Sequence, residues 1–418
     1  MIRALKGNIV SASRCGAPDC TEHGYLVLED GKTVGVFDTL PKRYGAAEIE
    51  DYGDALIMQS FSDLHLHAPQ YPMLGMGMDL PLLDWLNTYT FRTESRFADP
   101  DYARKVYRDF AQKLVACGTT RVCMFSSLHT DATLILMEEL EQAGVCGYVG
   151  KVNMDRNSPS YYIESTEQSK RETLRWLDEA ERFRRVRPIL TPRFTPSCSD
   201  ELMEWLGALA KERNLPVQSH LSENTDEIAW VKRLHPDCER YWETYHKYGL
   251  WKEGTVMAHC VYSDQAERKA LRDYGVTVAY CADSNINIAS GVAPIRKMLD
   301  EGISVALGSD IAGGAQLCML DVIQMSIRVS KMKTIESGWK DRFLSVGEAY
   351  YLGTSAGAAF FGAGPGFAKG EPLHAIVLSD AHLPDTDRLT LSERFERAVY
   401  LTRPEHIVAV YGEGKRLK

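Results

Sequence analysis

The chain has 418 residues, with 57 acidic against 48 basic, a formal net charge of −9 and 44% hydrophobic residues. That balance excludes a disordered chain, and the acidic excess argues against nucleic acid or an anionic membrane as partner. Composition otherwise describes an enzyme-sized globular protein of ordinary make-up.

The N-terminal segment MIRALKGNIVSASRCG has early basic residues but no unbroken apolar stretch of the secretory kind. No run approaches the ~18 consecutive apolar residues that span a bilayer. The ten cysteines sit mostly in apolar strand-like runs such as RVCMF and VMAHCV, the pattern of free buried thiols in a reducing cytoplasm. Cys15 and Cys20 have no second Cys or His pair nearby with which to complete a zinc knuckle.

Residues 1–58 read as short strands and turns, and the alternation around Asp30-Gly31 predicts a hairpin. The rhythm then changes to apolar strand, loop and amphipathic helix, repeated. Strands are predicted over 55–67, 119–125, 146–154, 187–194, 215–223, 255–261, 275–285 and 303–310. Helical three- and four-residue spacing recurs over 101–117, 165–183, 200–214 and 263–274. About eight such units over roughly 300 residues predict an α/β fold, a (β/α)8 TIM-type barrel. No GxGxxG opens a helix, as it does in many doubly wound sheets. From 365 the chain returns to strands and turns. The expected organisation is a barrel over 59–364, with 1–58 and 365–418 combining into a small β-sandwich domain.

The chemistry concentrates at predicted strand ends. His65 and His67 close the first barrel strand, and residues two apart on a strand share a face, so both imidazoles can reach one ion. His220 and Glu223 end the fifth strand, His259 the sixth and Asp310 the eighth. In a barrel those ends converge on one mouth, which predicts a shared metal site. Imidazole with carboxylate and no cysteine suits one divalent ion, Zn2+ or Fe2+. No lysine ends the fourth strand to bridge a second metal; that strand ends in Pro192-Arg193-Phe194.

The segments DLHLHAPQY, DLPLLDWLNTYTF, GTTRVCMFSSLHTDAT, VGKVNMD, TPRFTPSCS, QSHLSEN, VMAHCVYS and LGSDIAGG, in this order, resemble the amidohydrolase superfamily and, within it, the guanine deaminases. The resemblance implies hydrolytic deamination of a ring such as guanine, giving xanthine and ammonia. It implies that Gln70, Arg193 and Phe194 hold the purine, and that His65, His67, His220 and Asp310 hold the metal. Asp310 then takes the proton of the attacking water, and Glu223 protonates the neighbouring ring nitrogen. His259 contacts the water or the developing charge, with a ligand role left open. A homodimer is implied as well.

This sequence departs from the family after the seventh strand, where Tyr280-Cys281-Ala282-Asp283 replaces the usual His-Cys-Pro-x. The departure keeps related rings open as substrates: a pterin such as isoxanthopterin, 8-oxoguanine or an s-triazine. A non-catalytic scaffold is the reading from another class. His374 stands where an acid is usual. The stretch 79–85 reads as a lid, and His23, His235, His246, His382 and His406 read as surface residues.

Overall fold

The computed structural model describes residues 1–418. Strands β1 (Ile2–Ser11), β2 (Asp19–Glu29), β3 (Lys32–Phe37) and β4 (Glu48–Gln59) open the chain. β2 and β3 form the hairpin expected at Asp30-Gly31: Glu29 pairs with Lys32, and the turn residues have φ of 50° and 80°. Two left-handed residues match the twist of the flanking strands.

The apolar run 55–67, expected as one strand, is divided. β4 stops at Gln59, and β5 (Phe61–His67) belongs to another sheet. The corner is visible in the hydrogen bonds: the Ser60 N–H still goes to His374, in the terminal segment, whereas that of Phe61 goes to Gly118.

β6 (Thr119–Phe125), β7 (Cys146–Gly150), β8 (Val152–Asn153), β9 (Val186–Pro188), β10 (Thr191–Pro192), β11 (Val217–Leu221), β12 (Thr255–His259), β13 (Thr277–Tyr280) and β14 (Val305–Leu307) follow. All pair in parallel, in the ladders β5-β6-β7-β9 and β11-β12-β13-β14, with β8 on β10. Backbone bonds join the two ladders at both edges. Gln218 N–H donates to Leu190 O at 2.9 Å, and Asp310 N–H donates to His65 O at 2.8 Å. The expected strand at 187–194 is divided into β9 and β10, and between them the backbone changes partner, the Ile189 N–H going to Val149 O and that of Leu190 to Pro216 O. Strand residues such as Leu64, Cys123, Val256, Ala258, Ala279 and Ala306 bury one another in a common cluster. Burial on both faces is what helix-covered parallel strands require.

The helices are well signalled locally. Asp99 caps Pro100–Ala116 by accepting the N–H groups of Asp101 and Tyr102, and the helix buries Ala103, Tyr107, Phe110 and Leu114. Ser199 and Asn224 cap the helices Asp200–Glu212 and Thr225–Leu234 in the same way. No helix is long and apolar enough to cross a membrane.

β15 (Ala375–Leu378), β16 (Ile407–Gly412) and β17 (Lys415–Arg416) bring the chain end back to β4, giving the order β17-β16-β15-β4-β1-β2-β3. These strands hydrogen-bond as one seven-stranded sheet. β1 stays paired on both edges, with β2 and with β4, through register shifts beside Gly7.

One close approach tests the strand packing. Gly147 in β7 has φ of 135°, and a Cβ there would lie 2.0 Å from Val122 O. Gly147→Ala therefore has to move backbone, and is expected to cost about 2–3 kcal/mol, read as a lower thermal midpoint.

Candidate active site

β5 delivers His65 and His67 to one place, as its two-residue period dictates. Asp310 arrives from beyond β14. Asp63 holds this segment by accepting the Ser309 N–H at 2.9 Å. Asp310 Oδ1 lies 3.3 Å from His65 Nε2 and 3.5 Å from His67 Nε2, and its Oδ2 lies 3.7 Å from His259 Nε2. His67 Nε2 and His220 Nε2 are 3.2 Å apart. The exposures of His65, His67, His220, His259 and Asp310 are 1%, 3%, 9%, 1% and 5%.

The donor atoms form two overlapping groups, His65/His67/His220 and His65/His259/Asp310, each within 4.8 Å of one another. Their chemistry fits a cation. His220 Nδ1 lies 2.6 Å from Arg193 O, and His259 Nδ1 2.8 Å from Asn285 Oδ1. Those oxygens only accept, so each Nδ1 carries the proton and each Nε2 turns a lone pair inward. His65 Nε2 and His67 Nδ1 are buried without a hydrogen-bond partner. Burial foremost, then His65, holds His67 and His220 well below the ordinary imidazole pKa, and burial brings His259 down to about 4. Neutral imidazoles are the ligand form.

Burial opposes ionisation of Asp310, yet the neighbouring imidazoles, His65 first, outweigh it and hold the carboxyl well below its usual value. Glu223 moves the other way. Burial, then the charges of Glu227 and Asp310, push its carboxyl well above the ordinary range. Its Oε2 is 3.5 Å from His259 Nε2. Ser222, His259, Cys260 and Asp310 have φ of 48°, 74°, 49° and 46°. Such left-handed non-glycine backbone is costly, and here it gathers at the strand ends that aim the site.

These groups open on a cleft lined by Gln70, Arg193, Phe194, His67, His220, Glu223, His259 and Asp310, together with Glu227, Leu82, Trp85, Leu86 and Ile288. The structure thus brings together the metal-ligand, proton-transfer and purine-holding residues expected from the sequence, with His65 behind the wall. The Leu82–Ser95 stretch is helical with a π turn over Leu86–Thr90, and its apolar side chains form the roof expected of the 79–85 segment.

Several residues escaped the sequence reading. Glu94, fully buried, grips Arg193 with contacts of 2.6 and 3.0 Å and accepts the Gln70 amide at 2.8 Å. Glu227 caps the segment after Glu223, its Oε2 accepting the Glu223 N–H at 3.0 Å. Glu94 had no signal apart from lying in FRTES, where an acid reads as surface; only the DE pair in SENTDE hinted at Glu227, as a helix-capping acid.

Asp283, by contrast, does not line the cleft. Its Oδ2 accepts the Ala315 N–H at 2.7 Å and ties down the loop after Asp310. His235, expected at the surface, is 1% exposed and lies 3.0 Å from an Arg156 nitrogen.

A profile described as the amidohydrolase family matches residues 56–408. The chain is 38% identical to a guanine deaminase of Dictyostelium discoideum over 88% of its own length and 84% of the relative's. It is 36% identical to a guanine deaminase of Homo sapiens over 86% and 82%. A crystal structure of guanine deaminase from C. acetobutylicum with bound guanine in its active site superposes with a TM-score of 0.97 at 42% identity, covering 100% of both chains. With its strand-end histidines and aspartate gathered in one cleft, the chain belongs to the amidohydrolase family and is similar to guanine deaminases over nearly its whole length.

Proposed function

We propose that the protein hydrolyses guanine to xanthine and ammonia. The observation that carries this reading is one cleft in which a histidine–aspartate cluster faces an arginine and a glutamine held as hydrogen-bond donors. We read the parallel strands as a (β/α)8 barrel over 59–364, with 1–58 and 365–418 as a composite β domain.

His65, His67, His220 and Asp310 would hold one divalent ion, and the nitrogen-rich set without cysteine favours zinc. Such an ion supplies Lewis-acid polarisation that lowers the pKa of water toward neutrality. Arg193 donates to the ring carbonyl, Gln70 to a bare ring nitrogen, and Phe194 offers the ring an apolar face. Asp310, ionised, accepts a proton from the attacking water. Glu223, held protonated by its burial, gives a proton to the ring nitrogen beside the amino-bearing carbon and then assists the amine to leave as ammonia. His259 hydrogen-bonds the water or the charge developing on it. Trp85, Leu82 and Leu86 shield the cleft from bulk solvent.

Ten unpaired cysteines support a reducing compartment such as the cytoplasm. A homodimer rests on family resemblance. The wider class of rings loses one part of its motive, the added acid, because Asp283 is committed to the Ala315 N–H instead of the cleft.

An ammonia-release assay with guanine, 8-oxoguanine, isoxanthopterin, cytosine and adenine tests the reading. Guanine is expected to be turned over fastest; a protein that ignores guanine while consuming the pterin refutes it. Arg193→Lys is expected to lower guanine kcat/KM about 10²-fold, since an ammonium cannot keep a two-point hold on Glu94 and also face the substrate.

A further inference from the structure

Gln70 is committed at both ends of its amide. Its Nε2 lies 2.8 Å from Glu94 Oε1, and its Oε1 accepts the Ala312 N–H at 3.0 Å. A carboxylate only accepts and a backbone N–H only donates, so both neighbours dictate the same orientation. A flipped amide would set oxygen against oxygen at one end and N–H against N–H at the other. Glu94 also occupies two N–H groups of Arg193, through Nη1 at 2.6 Å and Nη2 at 3.0 Å. The guanidinium lies over the Phe91 ring, 5.2 Å from its centroid. Its remaining N–H groups have no protein partner, and the residue lines the cleft.

We propose that Glu94 is a positioning residue that sets substrate selectivity: it locks Arg193 and Gln70 into one unit that reads a ring carbonyl and rejects an amino group in its place. The inference rests on the guanine reading above and deepens it. The carboxylate itself lies behind the two readers. Because it absorbs one edge of the guanidinium and one hydrogen of the amide, what remains toward the ring is a set of donors that cannot rotate away. A ring oxygen finds partners there, whereas a ring amino group places N–H against N–H, and a site with fixed donors penalises that mismatch strongly. The unit is also tied to the chemistry. The Ala312 N–H that holds Gln70 follows Asp310 by two residues, and Asp310 and Ile311 are bonded through their backbones to His65 and His67. Substrate reader and proton acceptor are therefore set by one connected network.

Guanine and 2,6-diaminopurine test this, because they share the amino group that leaves and differ at the 6-position and the adjoining N1 proton. Glu94→Gln and Glu94→Asp are to be compared with the wild-type protein for kcat, KM, metal content and thermal midpoint. In Glu94→Gln, guanine KM is expected to rise about tenfold or more with metal content unchanged, and the guanine preference in kcat/KM to fall at least about tenfold. Glu94→Asp, which keeps the charge, is expected to recover part of both. A role limited to stability would slow both purines alike and leave their ratio in place. A folded Glu94→Gln with an unchanged ratio overturns the proposal. So does a Glu94→Asp protein with wild-type KM and ratio, should Glu94→Gln fail to fold. A wild-type protein inactive on guanine overturns the proposed function and this inference with it, whereas an active wild type with unaltered variants overturns the inference alone.

Discussion

Glu223→Gln is expected to keep its full complement of metal and to lose about 10³-fold in kcat, within the range for a positioned general acid. The residue is 4% exposed, and its Oε2 lies 3.5 Å from the Nε2 of the neutral His259 imidazole. It belongs to neither group of candidate ligand atoms, so replacing it removes nothing that holds an ion. Burial first, then the Glu227 and Asp310 carboxylates, raise its pKa well above the ordinary value, which keeps a proton on it where an exposed glutamate would have lost it. Glutamine has the same shape and still donates a hydrogen bond, but it cannot release a proton to a ring nitrogen. The Ser290 contact at 3.5 Å and the backbone bond from Glu223 N–H to Glu227 tolerate the exchange. Metal analysis alongside steady-state kinetics separates the cases. Near wild-type turnover would remove Glu223 from the proton path, and a loss of metal would make it a ligand.

How far the site was legible depended on how each residue reaches the cleft. His65, His67, His220, His259 and Asp310 sit on or next to strand ends, where the two-residue period and the repeat of strand and helix place them without knowledge of distant contacts. Glu94 reaches its place behind Arg193 and Gln70 by an excursion between β5 and the next long helix, through a π turn that no local periodicity announces. Its burial depends on Arg193, ninety-nine positions away. An acid with a cationic partner that remote looks identical, in sequence, to one on a solvated helix face. Asp283 illustrates the converse. It lies beside the seventh strand, in the segment that departs from the family, but a backbone N–H on the loop after Asp310 claims its carboxylate. The terminal strands were recognisable from alternation, while their union into one sheet was not. Alternation says which face is buried and leaves the pairing partner open.

Asp310→Asn provides the counterpart to Glu223→Gln, and is expected to lose both metal and turnover. Asp310 is the only carboxylate in the two candidate ligand groups. The amide preserves volume and one acceptor oxygen, yet it removes the negative charge that His65, His259 and His67 surround. Burial of Asp310 already opposes that charge, and the imidazoles more than compensate, so the site is built around an ionised aspartate. Without it, a divalent ion meets neutral nitrogens alone, and the water loses the base that takes its proton. Turnover is expected to fall by about 10³-fold or more even after reconstitution with excess zinc, because general-base assistance is absent whatever the occupancy. The backbone bond from Asp310 N–H to His65 O and the Asp63 contact to Ser309 do not involve the altered atoms, so the fold should hold and the thermal midpoint of the metal-free forms should match. An Asp310→Asn protein that binds metal stoichiometrically but stays inactive would confine Asp310 to proton transfer. One that loses metal but regains wild-type turnover in excess zinc would confine it to holding the ion. Joint loss, against the metal-replete inactivity of Glu223→Gln, would assign the ion and the first proton transfer to Asp310, and the second transfer to Glu223.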